Sequence, residues 1–131
     1  MVEDQNFHKV KKIIYVLILL LVFSSKSYSQ NFKLEKLVKL NAPWGSSFIN
    51  DREIIVTEKS GKIKIVNILS KEIKEISHQL NFVVHGQGGL LDIIHKDNYI
   101  WISYTEDRGG YKTSTSIARA EFNKKKLNFK N

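Results

Sequence analysis

The chain has 131 residues, a formal net charge of +8 and no cysteine. That length is about one domain. The missing thiols exclude a disulfide-stapled miniprotein and a lipid-bearing lipoprotein, so packing must stabilise whatever folds here.

Residues 1–29 have the layout of an export signal. Val2 to Lys12 contains His8, Lys9, Lys11 and Lys12, a basic n-region despite Glu3 and Asp4. Ile13 to Phe23 is an unbroken apolar run, and Ser24 to Ser29 is polar and mostly small. Ser27-Tyr28-Ser29 puts small residues at the two positions a signal peptidase reads, so cleavage is expected before Gln30. An uncleaved anchor needs roughly 20 apolar residues to cross the hydrocarbon core. This run has 11. The expectation is a signal peptide over 1–29, a mature domain over 30–131, no stable membrane anchor after cleavage, and a periplasmic or secreted location.

The leader carries four lysines and two acids, which leaves 17 basic against 11 acidic residues in the mature part. Nucleic-acid binding calls for basic residues gathered on one face with aromatics between them. Here lysines are scattered along alternating segments, where they mark solvent faces. No nucleic-acid partner is expected, although a basic surface favours anionic partners.

Taken in chain order, the mature part reads as strands. Pro43, the only proline, precedes a strand start, where a missing donor is tolerable. Phe48-Ile49 is followed by a turn at Asn50-Asp51-Arg52 and a β-branched run, Ile54-Ile55-Val56. Glu58-Lys59-Ser60-Gly61 is a hairpin turn with glycine where φ can be positive. Lys62 to Val66 alternates polar and apolar, the period of a half-buried strand. Further strands are predicted near Ile73 to Ile76, Leu90 to Ile94, Tyr99 to Tyr104 and Ser116 to Phe122. No amphipathic helix is expected after residue 30.

The chain also resembles itself. Phe48-Ile49, a turn, Ile54-Ile55-Val56 and Thr57-Glu58 form one unit. Asp92-Ile93-Ile94, a turn, Tyr99 to Tyr104 and Thr105-Glu106 form another. The Thr-Glu pairs lie 48 positions apart, and Gly45 and Gly89 lie 44 apart. A four-stranded repeat of roughly 40–50 residues has the spacing of a β-propeller blade. A β-sandwich shares the strand and turn texture. Residues 30–131 hold about two such units, whereas propellers typically close with about 4–8 blades. The chain therefore reads as the N-terminal part of a longer protein.

The most unusual segment is His85-Gly86-Gln87-Gly88-Gly89-Leu90-Leu91-Asp92. Three glycines around one glutamine suit backbone that turns tightly or lets a ligand approach. The Gln87 amide offers a donor and an acceptor. On composition alone, an ordinary Gly-rich loop entering a strand is the plainer reading. A phosphate loop is excluded, because the Lys-Ser/Thr ending is missing and no helix follows. His78 and His95 read as turn or surface residues. Asp92, Glu106 and Asp107 lack EF-hand spacing.

Asn41-Ala42-Pro43-Trp44-Gly45, Ile55 to Ile63 with its Thr-Glu-Lys-Ser-Gly core, and Gly86-Gln87-Gly88-Gly89-Leu90-Leu91-Asp92, in that order and spacing, resemble the glucose/sorbosone dehydrogenase family. The likeness runs from about residue 38 to 122 and continues through Trp101 to Tyr104 and Ser116 to Arg119. It implies an all-β fold, here about the first two blades of a six-bladed propeller after a cleaved signal peptide. It implies oxidation of aldose sugars at the anomeric carbon by hydride transfer to pyrroloquinoline quinone, with calcium holding the quinone and an external electron acceptor. By the same resemblance Gln87, and with it Gly88, would touch the cofactor. The catalytic histidine, the cofactor-binding arginines and the calcium ligands would lie beyond residue 131, so no catalytic or metal-binding residue is assigned here. The alternative is a non-catalytic exported propeller that binds carbohydrate or protein.

Overall fold

The computed structural model of the chain describes residues 2–23 and 31–130. It divides into two compact units, residues 1–35 and 36–131. The first contains one helix, α1 (Val2–Phe23). No glycine or proline interrupts residues 2–23, so the helix runs through both the basic stretch and the apolar run. Among the described residues no helix is long and apolar enough to cross a membrane. The expected cleavage site, Ser27 to Gln30, lies outside the described residues.

The second unit is all-β. Its strands are β1 (Pro43–Asn50), β2 (Glu53–Glu58), β3 (Ile63–Asn67), β4 (Ile73–His78), β5 (Leu90–Lys96), β6 (Tyr99–Asp107), β7 (Thr113–Glu121) and β8 (Lys126–Leu127). They form two sheets, with strand orders β1-β2-β3-β4-β8 and β5-β6-β7. Consecutive strands pair antiparallel, and β8 alone joins its neighbour, β4, in parallel. Strands β1 to β4 and β5 to β7 are thus antiparallel meanders, and the two meanders are successive blades of a β-propeller. They are not closed into a ring.

The predicted turns hold the strands in register. Asp97 and Asn98 both have positive φ, as a two-residue type I′ hairpin requires, and Asx residues tolerate it best. Pro43 is the first residue of β1 rather than its forerunner. Strands β4, β5 and β6 run two or three residues further than the apolar pattern indicates, and β7 starts three residues earlier. Alternation assigns one face of each sheet to a shared core. Ile55, Ile63, Ile65 and Ile76 from the first blade pack with Leu90, Ile93, Ile100, Ile102 and Tyr104 from the second. Leu127 and Phe129 join the same core. Beyond them Lys130 exchanges both backbone hydrogen bonds with Arg119 of β7 (2.9 and 2.8 Å), the start of a fourth position in the second blade.

The inner strands β1 and β5 lie side by side. A Cβ on Gly45 would stand 2.6 Å from the Asp92 Cα, so only glycine lets the two backbones approach there. The Thr57 hydroxyl donates to Leu91 O (2.5 Å) and accepts from Gly45 N (3.0 Å), tying β2 to both. Because β1 and β5 run the same way, the β2–β3 turn, the β6–β7 turn and the 79–89 connection gather at one end of the pair.

Candidate functional site

That end carries the Gly-rich loop. Phe82 bridges Glu106, and Val83 N donates to Thr105 O at 2.9 Å. The chain then leaves the edge of β6 and returns where Thr105 N donates to Gly89 O at 2.9 Å. Thr105 therefore fastens both feet of the loop. Between them His85 to Gly88 make a tight turn, closed by Gly88 N to His85 O at 2.6 Å, with Gly86 at φ 53°. A non-glycine residue would rarely adopt that φ.

Gln87 sits at the tip of this turn, and its side chain is exposed. Among the described residues it makes no intramolecular hydrogen bond, so both ends of its amide are available. A Cβ on Gly86 would meet nothing within 4 Å, so the approach beside Gln87 is open. Gly88 is placed differently from Gln87. Its N–H is already used by His85 O, and a Cβ there would lie 3.0 Å from both His85 O and Thr105 Oγ1. Its role in the fold is to let the turn settle onto Thr105.

The first blade reaches across to the same loop. The Lys59 ammonium donates to the Gly86 carbonyl. Gly89 has φ 143°, and a Cβ on it would fall 2.2 Å from Lys59 O. The Lys59 backbone is itself held, its N–H donating to Ala42 O at 3.0 Å. Gly61, two residues on in this turn, faces the Phe82 ring at a distance no Cβ could share. Beside the loop lies an open groove of about 780 Å³, walled by Val83, His85, Thr105, Asp107, Tyr111 and Lys112. Gln87 stands outside its walls. Among the described residues no three His, Asp or Glu side chains gather where they could hold a metal ion.

The repeated Thr-Glu pair lies at this end of the second strand of each blade, as the last two residues of β2 and just before the final Asp107 of β6. The Glu58 side chain is 1% exposed and meets Lys64, 17% exposed, at 2.7 Å. Asn41 N donates to the same oxygen at 2.7 Å, and Oε2 is buried with no hydrogen-bond partner. Burial pushes the Glu58 carboxyl up, but the hydrogen bonds from Lys64 and Asn41 and the Lys64 and Lys62 charges outweigh it, holding it below the ordinary glutamate value. In the second blade Glu106 accepts from Ser116 Oγ at 2.5 Å and pairs with Arg108 at 2.8 Å. Lys64 and Ser116 occupy matching register positions, opposite Val56 and Tyr104.

Two histidines differ from the expectation of turn or surface positions. His78 closes β4, is half-buried, contacts Gly61 O through Nε2 at 2.7 Å and packs on Phe82 and Phe129. His95 lies within β5, half-buried with its ring against Phe122. Both fill gaps between sheet and loop, which a pattern of single-strand alternation cannot reveal. Lys59 and Thr105 were also not legible as site residues, because their partners lie on another blade or across a loop. The Thr-Glu repeat is the signal that points toward them.

Residues 40–131 match the sequence profile of the family described as glucose/sorbosone dehydrogenase. The chain is 31% identical over 101 residues to an uncharacterised protein of Synechocystis, covering 67% of this chain and 24% of that protein. It is 28% identical over 85 residues to the aldose sugar dehydrogenase YliI of Escherichia coli, covering 60% of this chain and 23% of the relative. The fold is similar to that of the pyrroloquinoline quinone-bound form of an aldose sugar dehydrogenase from Streptomyces coelicolor, with a TM-score of 0.60 and 21% identity, over 69% of this chain and 28% of that one. The chain spans about a quarter of the length of the curated relatives it matches.

Proposed function

Because the chain belongs to the glucose/sorbosone dehydrogenase family, we propose that residues 40–130 form one wall of a pyrroloquinoline quinone site in a propeller that oxidises aldose sugars. The observation that carries this reading is Gln87. Its amide is exposed and has no intramolecular partner among the described residues, on a loop fastened by Thr105 and Lys59. Pyrroloquinoline quinone presents carbonyl and carboxylate oxygens, which suit an amide donor. The open space beside Gly86 leaves room for a flat ligand to approach. The residues present therefore fit the group.

When bound, the quinone would supply the redox chemistry, accepting a hydride from the anomeric carbon of the sugar. This chain's part is to bind and orient. Gln87 Nε2 would hold one quinone oxygen, while the loop keeps that amide at a fixed height. No residue of this chain is assigned as the base that takes the hydroxyl proton, and none as a ligand of the calcium ion the family resemblance implies. An external electron acceptor would regenerate the quinone. The basic, apolar and small-residue order of residues 1–29 supports export to the periplasm or beyond.

In the full-length protein, Gln87→Ala tests the reading by quinone titration and dye-linked aldose oxidation. One lost hydrogen bond of roughly 0.5–1.5 kcal/mol should weaken quinone affinity or turnover about 2–13-fold. Stability should change by no more than about 0.5 kcal/mol, as for other exposed positions. Unchanged quinone binding would make the loop structural. A non-catalytic exported propeller that binds carbohydrate or protein would then be the better description.

A further inference from the structure

We propose that Lys59 is a positioning residue: its ammonium, carried on the first blade, clamps the His85–Gly88 turn of the second and so fixes where Gln87 points. The contact joins residues 27 positions apart, Lys59 Nζ donating to Gly86 O. The carbonyl belongs to the residue just before Gln87, so its orientation sets the peptide plane from which Gln87 departs. The lysine is a rigid anchor at its base. Its N–H is held by Ala42 O, and the turn it occupies is closed by Gly61 N to Glu58 O at 2.9 Å and Glu58 N to Lys62 O at 2.8 Å. The return limb of the loop presses on the same residue, since Gly89 leaves no room for a Cβ against Lys59 O. The loop is thus gripped from two sides. Thr105 holds its feet within the second blade, and Lys59 holds its tip from the first. A charged donor to a carbonyl is stronger than a neutral one, and here it crosses the boundary between blades, where no ladder hydrogen bond can act.

The inference about quinone geometry rests on the proposed cofactor role of Gln87; the clamp itself does not. Amide hydrogen exchange on the full chain separates the two. Lys59→Met should speed exchange at Gly88, whose N–H closes the turn, about 2–13-fold, while amides of Ile55 and Ile65 in the sheet keep their protection. Lys59→Arg, which keeps a charged donor, should restore the parent rate. With pyrroloquinoline quinone as the probe, Lys59→Met should weaken binding in the parent background and add nothing in Gln87→Ala. Unchanged exchange at Gly88 in Lys59→Met overturns the clamp. An equal loss of quinone affinity in both backgrounds overturns the positioning role, because Lys59 would then touch the ligand itself. If exchange rises but neither Lys59→Met nor Gln87→Ala alters quinone binding, the clamp stands and the cofactor role of Gln87 falls.

Discussion

Lys64→Met is the sharpest probe of how the first blade is held. Lys64 compensates Glu58, whose side chain is almost completely removed from water and whose Oε2 has no hydrogen-bond partner. Removing one member of a buried pair strands the other charge, which costs about 3–5 kcal/mol. Lys64 retains some contact with water, so the low end, about 3 kcal/mol at pH 7, is expected. The sign with pH follows from the direction of the Glu58 shift. In the parent the carboxyl sits below its ordinary value. Its contribution is therefore complete above the ordinary glutamate range and is lost as pH falls through the lower folded value. Without Lys64, burial is opposed only by the Asn41 hydrogen bond and the Lys62 charge, so the carboxyl rises relative to the parent. The folded variant then holds its proton to higher pH than the folded parent, so its deficit should shrink from pH 7 toward pH 4.5. Glu58→Gln combined with Lys64→Met keeps an acceptor for Asn41 N–H without a charge and should recover most of the loss. The assay is the urea midpoint of the full-length protein, followed by tryptophan fluorescence at fixed protein concentration. A deficit below about 0.5 kcal/mol, the range of ordinary surface changes, or one equal at both pH values, would refute the buried-pair argument.

Gly45→Ala should destabilise by about 1–3 kcal/mol, because a methyl would wedge β1 from β5 at Asp92; the same urea midpoint reads it. Gly89→Ala should be at least as damaging and Gly109→Ala milder, since a Cβ on Gly89 meets the Lys59 carbonyl whereas one on Gly109 meets nothing within 4 Å. Residues 30–131 expressed alone should associate rather than behave as a cooperative monomer, and a sharp two-state transition from a monodisperse monomer in light scattering would contradict this. N-terminal sequencing of exported protein should begin at Gln30, and a retained leader would count against the signal-peptide reading.

The contrast between what was legible and what was not follows from the range of each interaction. The alternation in Lys62 to Val66 is read within one strand, and it places Ile63 and Ile65 in the core as observed. The Thr-Glu repeat is legible because each pair lies at the far end of the second strand of its own blade, where each glutamate finds a partner one strand away, Lys64 for Glu58 and Ser116 for Glu106. Strand β8 was not legible, since two residues carry no period and its pairing with Ser77 and His78 joins positions 49 apart. Lys59 was hidden for the same reason: its partner becomes a neighbour only when the blades stack. Stacking also explains what the outer faces display. Ile94, Trp101 and Ile117 stay exposed on the face of the second blade, and Trp44 and Phe48 on the first. In the second blade Arg119 lies over the rings of Tyr99 and Trp101, at 4.7 and 5.3 Å, shielding part of that surface. The second blade, which buries one face through alternation and leaves Ile94, Trp101 and Ile117 exposed on the other, is built to be covered on both sides. The expectation of a two-blade unit that associates therefore rests on these exposed side chains and not on the count of residues.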